Sequence, residues 1–250
     1  GDPSVGDAEA DDAGERDMKR ELREDRCASD REAAIGLQKH SVADDDALLA
    51  AYQARMAMCR RCVEAGFLTE AHPVFHGYAH QRVMIVGQAP GVRAHTTGVP
   101  WSGRSGEILR EWLARAGFPP EEWRETWYLT SLTKCFPGKA TKGQGDRAPS
   151  RAEIALCADH LDMELRMVRP EIIVTLGKLA AGRLIPGASR LPLAELVGTT
   201  REVDLPHGRT LIVPLPHPSG VSRWLNDPGN RSLVDAAMAV LGEERVRRGL

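Results

Sequence analysis

Val83-Met84-Ile85-Val86-Gly87-Gln88-Ala89-Pro90-Gly91 is the stretch from which the fold is read. Four apolar residues ending in glycine make a short buried strand. The Gly/Pro segment after it lets backbone approach a ligand closely, and it is equally the pattern of a tight strand-to-helix turn. It is not a Walker loop, because the Gly-Lys-Ser/Thr ending is missing.

On the C-terminal side, Ser105 to Ala116 predicts an amphipathic helix stopped by Gly117 and the prolines beyond it. Trp127-Tyr128-Leu129-Thr130 predicts a second strand, and residues 136–149, rich in Gly, Lys, Thr and Pro, a polar loop. Ser150-Arg151-Ala152-Glu153 is a capping-box pattern opening a helix to about Val168. Glu171 to Leu176 reads as a third strand, followed by a short helix from Lys178 to Leu184. Val203–Leu205 and Thr210–Leu215 read as a strand pair turned at His207-Gly208, and Asn230 to Arg247 as the closing helix. On the N-terminal side, the Leu48, Leu49, Tyr52, Met56 and Met58 pattern predicts a helix from Ala43 to Cys62. Strands alternating with helices predict an α/β fold with a mostly parallel sheet covered on both faces.

Ligands of open α/β sheets bind beyond the carboxyl ends of the strands. Those ends carry residues 87–91, 130–133 and 216–220, so these three segments are expected to meet at one edge.

The chain has 250 residues, 42% of them hydrophobic, enough for one sizeable core. No apolar run reaches the length of a membrane span, and the first residues are acidic rather than apolar. A cytoplasmic protein with reduced thiols is expected, nucleoid-associated if bacterial, monomeric and without a membrane partner. The net charge of −2 conceals an asymmetry: residues 1–50 hold 15 acidic and 7 basic residues, leaving 20 acidic and 26 basic in 51–250. Residues 1–42 are expected to form an acidic, flexible tail and 43–250 the folded domain. The mildly basic body could track phosphates or simply be solvated.

Cys59 and Cys62 form a C-x-x-C pair, with Cys135 and Cys157 far downstream. Four thiolates fit an iron–sulfur cluster or a tetrahedral zinc, and spacing alone does not choose between them. Cys27 lies in the tail without spaced partners and is left out of the set. His217 stands between two prolines after a strand, where a neutral imidazole N–H could stabilise a developing anion.

The ordered set GQAPG (87–91), GVPWSGRSG (98–106), YLTSLTKC (128–135), RPEIIVTLG (169–177) and HPSG (217–220) resembles the uracil-DNA glycosylase superfamily. It is most similar to the [4Fe–4S] branches, families 4 and 5, over about residues 50–242. The resemblance implies a three-layer α/β/α fold with a central, mostly parallel four-stranded sheet. It implies a monofunctional DNA glycosylase of base excision repair, hydrolysing the N-glycosidic bond of uracil or another damaged base flipped out of DNA. It further implies that Cys59, Cys62, Cys135 and Cys157 ligate a [4Fe–4S] cluster. His217 and Gln88 would be the catalytic pair, with Gly87, Ala89, Pro90, Gly91, Trp101 and Ser131 forming the base pocket. Trp101 takes the place of a stacking phenylalanine, and His217 supports the departing base as an anion. Ser219, Arg223, Trp224 and Lys134 are expected against DNA, with Leu225, Lys139, Lys142 and Arg147 nearby.

Three departures stand out from the family pattern. Gln88 cannot act as a general base, Val92–His95 carry no carboxylate, and Ser131 replaces an asparagine. His95 is one candidate for orienting the water instead. Two other readings compete: a non-catalytic or weakly active binder of damaged or abasic DNA on the same fold, and a zinc-stabilised enzyme acting on free nucleosides.

Overall fold

The structure, a computed structural model, describes residues 41–142, 145–219 and 223–250. The expectation of an acidic tail, Cys27 with it, lies outside the described residues, as does Gly220 of the last motif.

In chain order the elements are α1 (Val42–Ala57), α2 (Arg61–Glu64), β1 (Val83–Gly87), α3 (Val92–Thr97), α4 (Arg104–Arg115), α5 (Trp123–Thr126) and β2 (Trp127–Ser131). There follow α6 (Arg151–Val168), β3 (Ile172–Leu176), α7 (Lys178–Leu184), α8 (Leu193–Leu196), β4 (Arg201–Leu205), β5 (Gly208–Leu215) and α9 (Pro228–Arg248).

Among the described residues the sheet has five strands, in the order β2-β1-β3-β5-β4. β1 pairs in parallel with both β2 and β3, and β3 in parallel with β5. Every position of β1, β2 and β3 is buried, as their mostly apolar sequences require. The expected four strands become five because β4 adds an antiparallel edge to β5. Its sequence, Arg-Glu-Val-Asp-Leu, alternates polar with apolar and leaves the strand largely exposed, which suits an edge.

Strand period two sorts the core into layers. Val83 and Ile85 face the same way as Trp127, Leu129, Ile172 and Val174, and pack under Leu109, Trp112 and Leu113 of α4 and Met238 and Leu241 of α9. Met84 and Val86 face the other way with Tyr128, Ile173 and Ile212, beneath Leu49 of α1, Leu161 and Leu165 of α6 and Leu184 of α7. Each such aliphatic side chain contributes roughly 1.5–3 kcal/mol by burial.

Local signals account for the helix ends. Both halves of the capping box form at α6: Ser150 Oγ accepts from the Glu153 N–H, and the Glu153 carboxylate accepts from the Ser150 N–H at 2.7 Å. Gly117, at φ 85°, terminates the α4 turn. The expected single helix from Ala43 to Cys62 is broken: α1 ends at Ala57, and Cys62 lies on the separate α2.

Candidate active site

Because β1, β2, β3 and β5 run parallel, their carboxyl ends share one edge. The chain leaving β2 folds back under the loop after β1: the Leu132 N–H donates to the Gly87 carbonyl at 2.9 Å and the Thr133 N–H to that of Gln88 at 3.2 Å. A cleft of about 510 Å³ opens at this edge. It is lined by Gln88, Ala89, Pro90 and Gly91, by Trp101, by Ser131, and by His217 and Ser219. Gly87 stands directly behind Trp101. Of the residues expected in the catalytic and base-pocket sets, the structure brings all to this one place.

Trp101 is held in an unusual backbone conformation, with φ at 56°. The left-handed region costs an ordinary residue about 1–2 kcal/mol, and strain of this kind persists only where the surroundings impose it. Two glycines make room for it here. A Cβ on Gly106 would lie 1.8 Å from the Trp101 carbonyl oxygen, and one on Gly87 would lie 2.9 Å from indole Cζ2. The GVPWSGRSG segment therefore needs Gly106 to seat the tryptophan, and β1 must end in glycine to leave room for its ring.

The rings of Trp101 and His217 stand 6.0 Å apart between centroids, tilted by 41°. Burial pushes the His217 pKa below 6.5, with the negative charge of Asp146 acting in the opposite direction. The imidazole is thus neutral at pH 7 and presents an N–H without a positive charge.

Several expectations are corrected. Lys134 does not face DNA. Its side chain is 1% exposed, and Nζ donates to Glu164 at 2.6 Å, Thr130 Oγ1 at 2.6 Å and the Ser131 carbonyl at 2.7 Å. Glu164, wholly buried, also accepts from Tyr128 and Thr130. A buried carboxylate needs a counter-charge, and Lys134 supplies it. His95 does not face the cleft: its Nε2 meets Glu70 at 2.9 Å and its ring packs against His72 and Phe136. Trp224 and Leu225 are half-buried against the core, with their carbonyls accepting from Asn230 and Arg231, so neither projects as an inserting wedge. Lys139 and Arg147 are paired with Asp146 and Glu153, whereas Arg223 is exposed.

Sequence reading gives no role to the one carboxylate among the described residues that line the cleft. Asp146 sits on the 136–149 loop, where Oδ2 accepts from the Val92 N–H at 3.1 Å and Oδ1 pairs with Lys139 at 2.8 Å. Its only signal is that it is the one acidic residue in that loop.

The four cysteines are all free thiols. Cys59 follows α1, Cys62 is on α2, Cys135 lies beyond β2 and Cys157 is on α6. α1 and α2 are tied to α6 by Tyr52 against His160 at 2.8 Å and by Arg61 donating to both Asp159 oxygens at 2.9 and 3.0 Å. Burial raises the Cys62 pKa to about 11 and that of Cys135 to about 12, and each also feels the charge of the other thiols. Cys157 shifts the same way for the same first cause and accepts from the Lys134 N–H at 3.4 Å. Among the described residues no group of three or more His, Cys, Asp or Glu side chains is gathered tightly enough to hold a metal ion.

Fold and cleft define an α/β protein that sets an aromatic face beside a neutral histidine at the carboxyl edge of its parallel strands. Residues 74–241 match the family described as the Uracil DNA glycosylase superfamily, and the chain belongs to that superfamily. A type-4 uracil-DNA glycosylase of Archaeoglobus fulgidus is 29% identical over 165 residues, covering 65% of this chain and 77% of the relative. Another, from Thermotoga maritima, is 29% identical over 150 residues, 60% of this chain and 71% of the relative. A third, from Sulfurisphaera tokodaii, is 32% identical over 121 residues, 48% of this chain and 50% of the relative. Among the described residues no helix is long and apolar enough to cross a membrane.

Proposed function

We propose that this chain is a uracil-DNA glycosylase acting in base excision repair, and that the unit starting at Val42 carries the activity. The observation that carries the reading is the Trp101–His217 pair, rings 6.0 Å apart and both lining the cleft. A flipped uracil would stack on the indole, with its edge toward Ser131 at the end of β2. The glycosidic bond breaks with its electron pair passing to the base. The His217 N–H then stabilises the negative charge gathering on the uracil oxygens. A neutral donor suits that task, because it strengthens its bond as charge develops without binding the neutral ground state more tightly. Water adds to the sugar carbon, leaving free uracil and an abasic site. Ser219 lines the cleft, and it and the exposed Arg223 would meet the DNA backbone.

The cysteines fit a [4Fe–4S] cluster. Four cysteines from four segments lie within electrostatic reach of one another, with no disulfide among them. Their raised pKa values mean that burying them as thiolates is unfavourable unless positive charge lies between them. Cys59, Cys62, Cys135 and Cys157 would hold the cluster. When bound, it supplies a cross-link between α1, α2, α6 and the segment after β2 rather than a catalytic group.

Incubation of the purified protein with a uracil-containing oligonucleotide tests the function: free uracil and an alkali-labile abasic strand are expected. Iron and acid-labile sulfide in equal amounts are expected on the same preparation. Zinc without iron would refute the cluster, and tight abasic-DNA binding without base release would make the chain a binder instead.

A further inference from the structure

We propose that Asp146 is the catalytic carboxylate of this site, orienting the attacking water and taking its proton, and that it is delivered by the loop between β2 and α6. The inference rests on the glycosylase reading above. The first motif offers an amide at Gln88, and Val92–His95 contain no acid. Among the described residues lining the cleft, Asp146 is the sole carboxylate.

The carboxylate is built into place. Its Oδ2 accepts from the Val92 N–H at 3.1 Å, at the point where the Gln88–Gly91 loop turns into α3. A Cβ on Gly91 would stand 3.1 Å from that same oxygen, so the glycine leaves the acid room beside the pocket loop. Oδ1 is held by Lys139 across an isolated antiparallel bridge between residues 139 and 146. The base of the loop is clamped in turn. The Arg147 N–H donates to the Gly138 carbonyl at 2.9 Å, and the Arg147 guanidinium grips both Glu153 oxygens at 2.7 Å. Glu153 is the acid of the α6 capping box, so the start of a core helix fixes the position of Asp146. Asp146 is close enough for its charge to act on the His217 ring.

This arrangement divides the labour. His217 faces the departing base and its growing negative charge, while Asp146 places a negative charge for the sugar, which becomes cationic as the bond breaks. One water is consumed. Its oxygen bonds to C1′, its proton passes to the Asp146 carboxylate, and that proton leaves to solvent as the base anion takes up another. The products are neutral uracil and an abasic sugar bearing a hydroxyl.

Asp146→Asn retains an oxygen for the Val92 N–H and removes the charge. Single-turnover uracil release and affinity for an abasic oligonucleotide should be measured together on cluster-loaded wild type and variant, with iron content as the check on folding. The variant is expected to release uracil about 100-fold more slowly, the usual scale of a general base, while binding abasic DNA as tightly as wild type or more so. A rate within about threefold of wild type overturns the proposal. So does a rate loss matched by an equal loss of abasic-DNA affinity, which would make Asp146 a prop for the loop. If wild type itself releases no uracil, the glycosylase reading fails rather than this assignment.

Discussion

Gly106 lies so close beneath Trp101 that a Cβ there would meet the tryptophan carbonyl oxygen at 1.8 Å. The strained turn of Trp101 and the first turn of α4 are therefore one unit. Gly106→Ala is expected to displace Trp101 and weaken uracil release by at least an order of magnitude, because a misplaced positioning group of about 1 Å can cost that much or more. The fold should survive, since α4 keeps Leu109, Trp112 and Leu113 in the core. Kinetics alongside circular dichroism check this, and an unchanged rate would show that the indole position is not critical.

Lys134 and Glu164 form a buried pair at 2.6 Å. Lys134→Met leaves a wholly buried carboxylate unpaired and should cost about 3–5 kcal/mol in denaturant unfolding. Adding Glu164→Gln should recover part of that loss, since glutamine still accepts from Tyr128 and Thr130. Equal stability of the single and double variants would contradict a charge-pairing role. Loss of salt-dependent DNA binding without loss of stability would restore Lys134 to the DNA surface.

Glu153 is held at about 2, chiefly by Arg147. A folded pKa below the unfolded value of about 4.5 stabilises the native state above pH 4.5, and that contribution fades as pH falls toward 2. Glu153→Gln should therefore cost about 1–3 kcal/mol at pH 7, allowing for the partly exposed guanidinium, and progressively less below pH 4.5. Unfolding curves at several pH values measure it, and a cost independent of pH would exclude the ionic contribution.

Removing one cysteine should separate cluster from chemistry. Cys157→Ala is expected to lower iron content and thermal stability, because Cys157 is the buried member and ties α6 to the segment after β2. Retention of full iron content would place the ligand elsewhere.

Much of this was legible in the residues, for identifiable reasons. The central strands are mostly apolar along both faces, so the sheet could be read from Val83–Gly87 and Ile172–Leu176. The Ser150–Glu153 capping box marks a helix start by itself. The pocket followed because parallel strands must end at one edge. The rest depended on three-dimensional pairing. Lys134 looks like a surface cation until Glu164, thirty positions away, is seen to need it. β4 alternates like any amphipathic strand, and only its pairing with β5 makes it a sheet edge. Asp146 lies in a polar loop whose composition says nothing of where the loop folds. His95 follows the pocket motif in sequence yet turns away on α3 toward Glu70.

The central claim is that the Trp101–His217 cleft excises uracil from DNA. Single-turnover release of free uracil from a uracil-containing oligonucleotide, by wild type and by His217→Ala, tests it most directly. Wild type should release the base, and the variant should be slower by roughly 10²–10³-fold, the scale of one lost anion-stabilising donor. No free uracil from wild type, or equal rates from both proteins, would contradict the account.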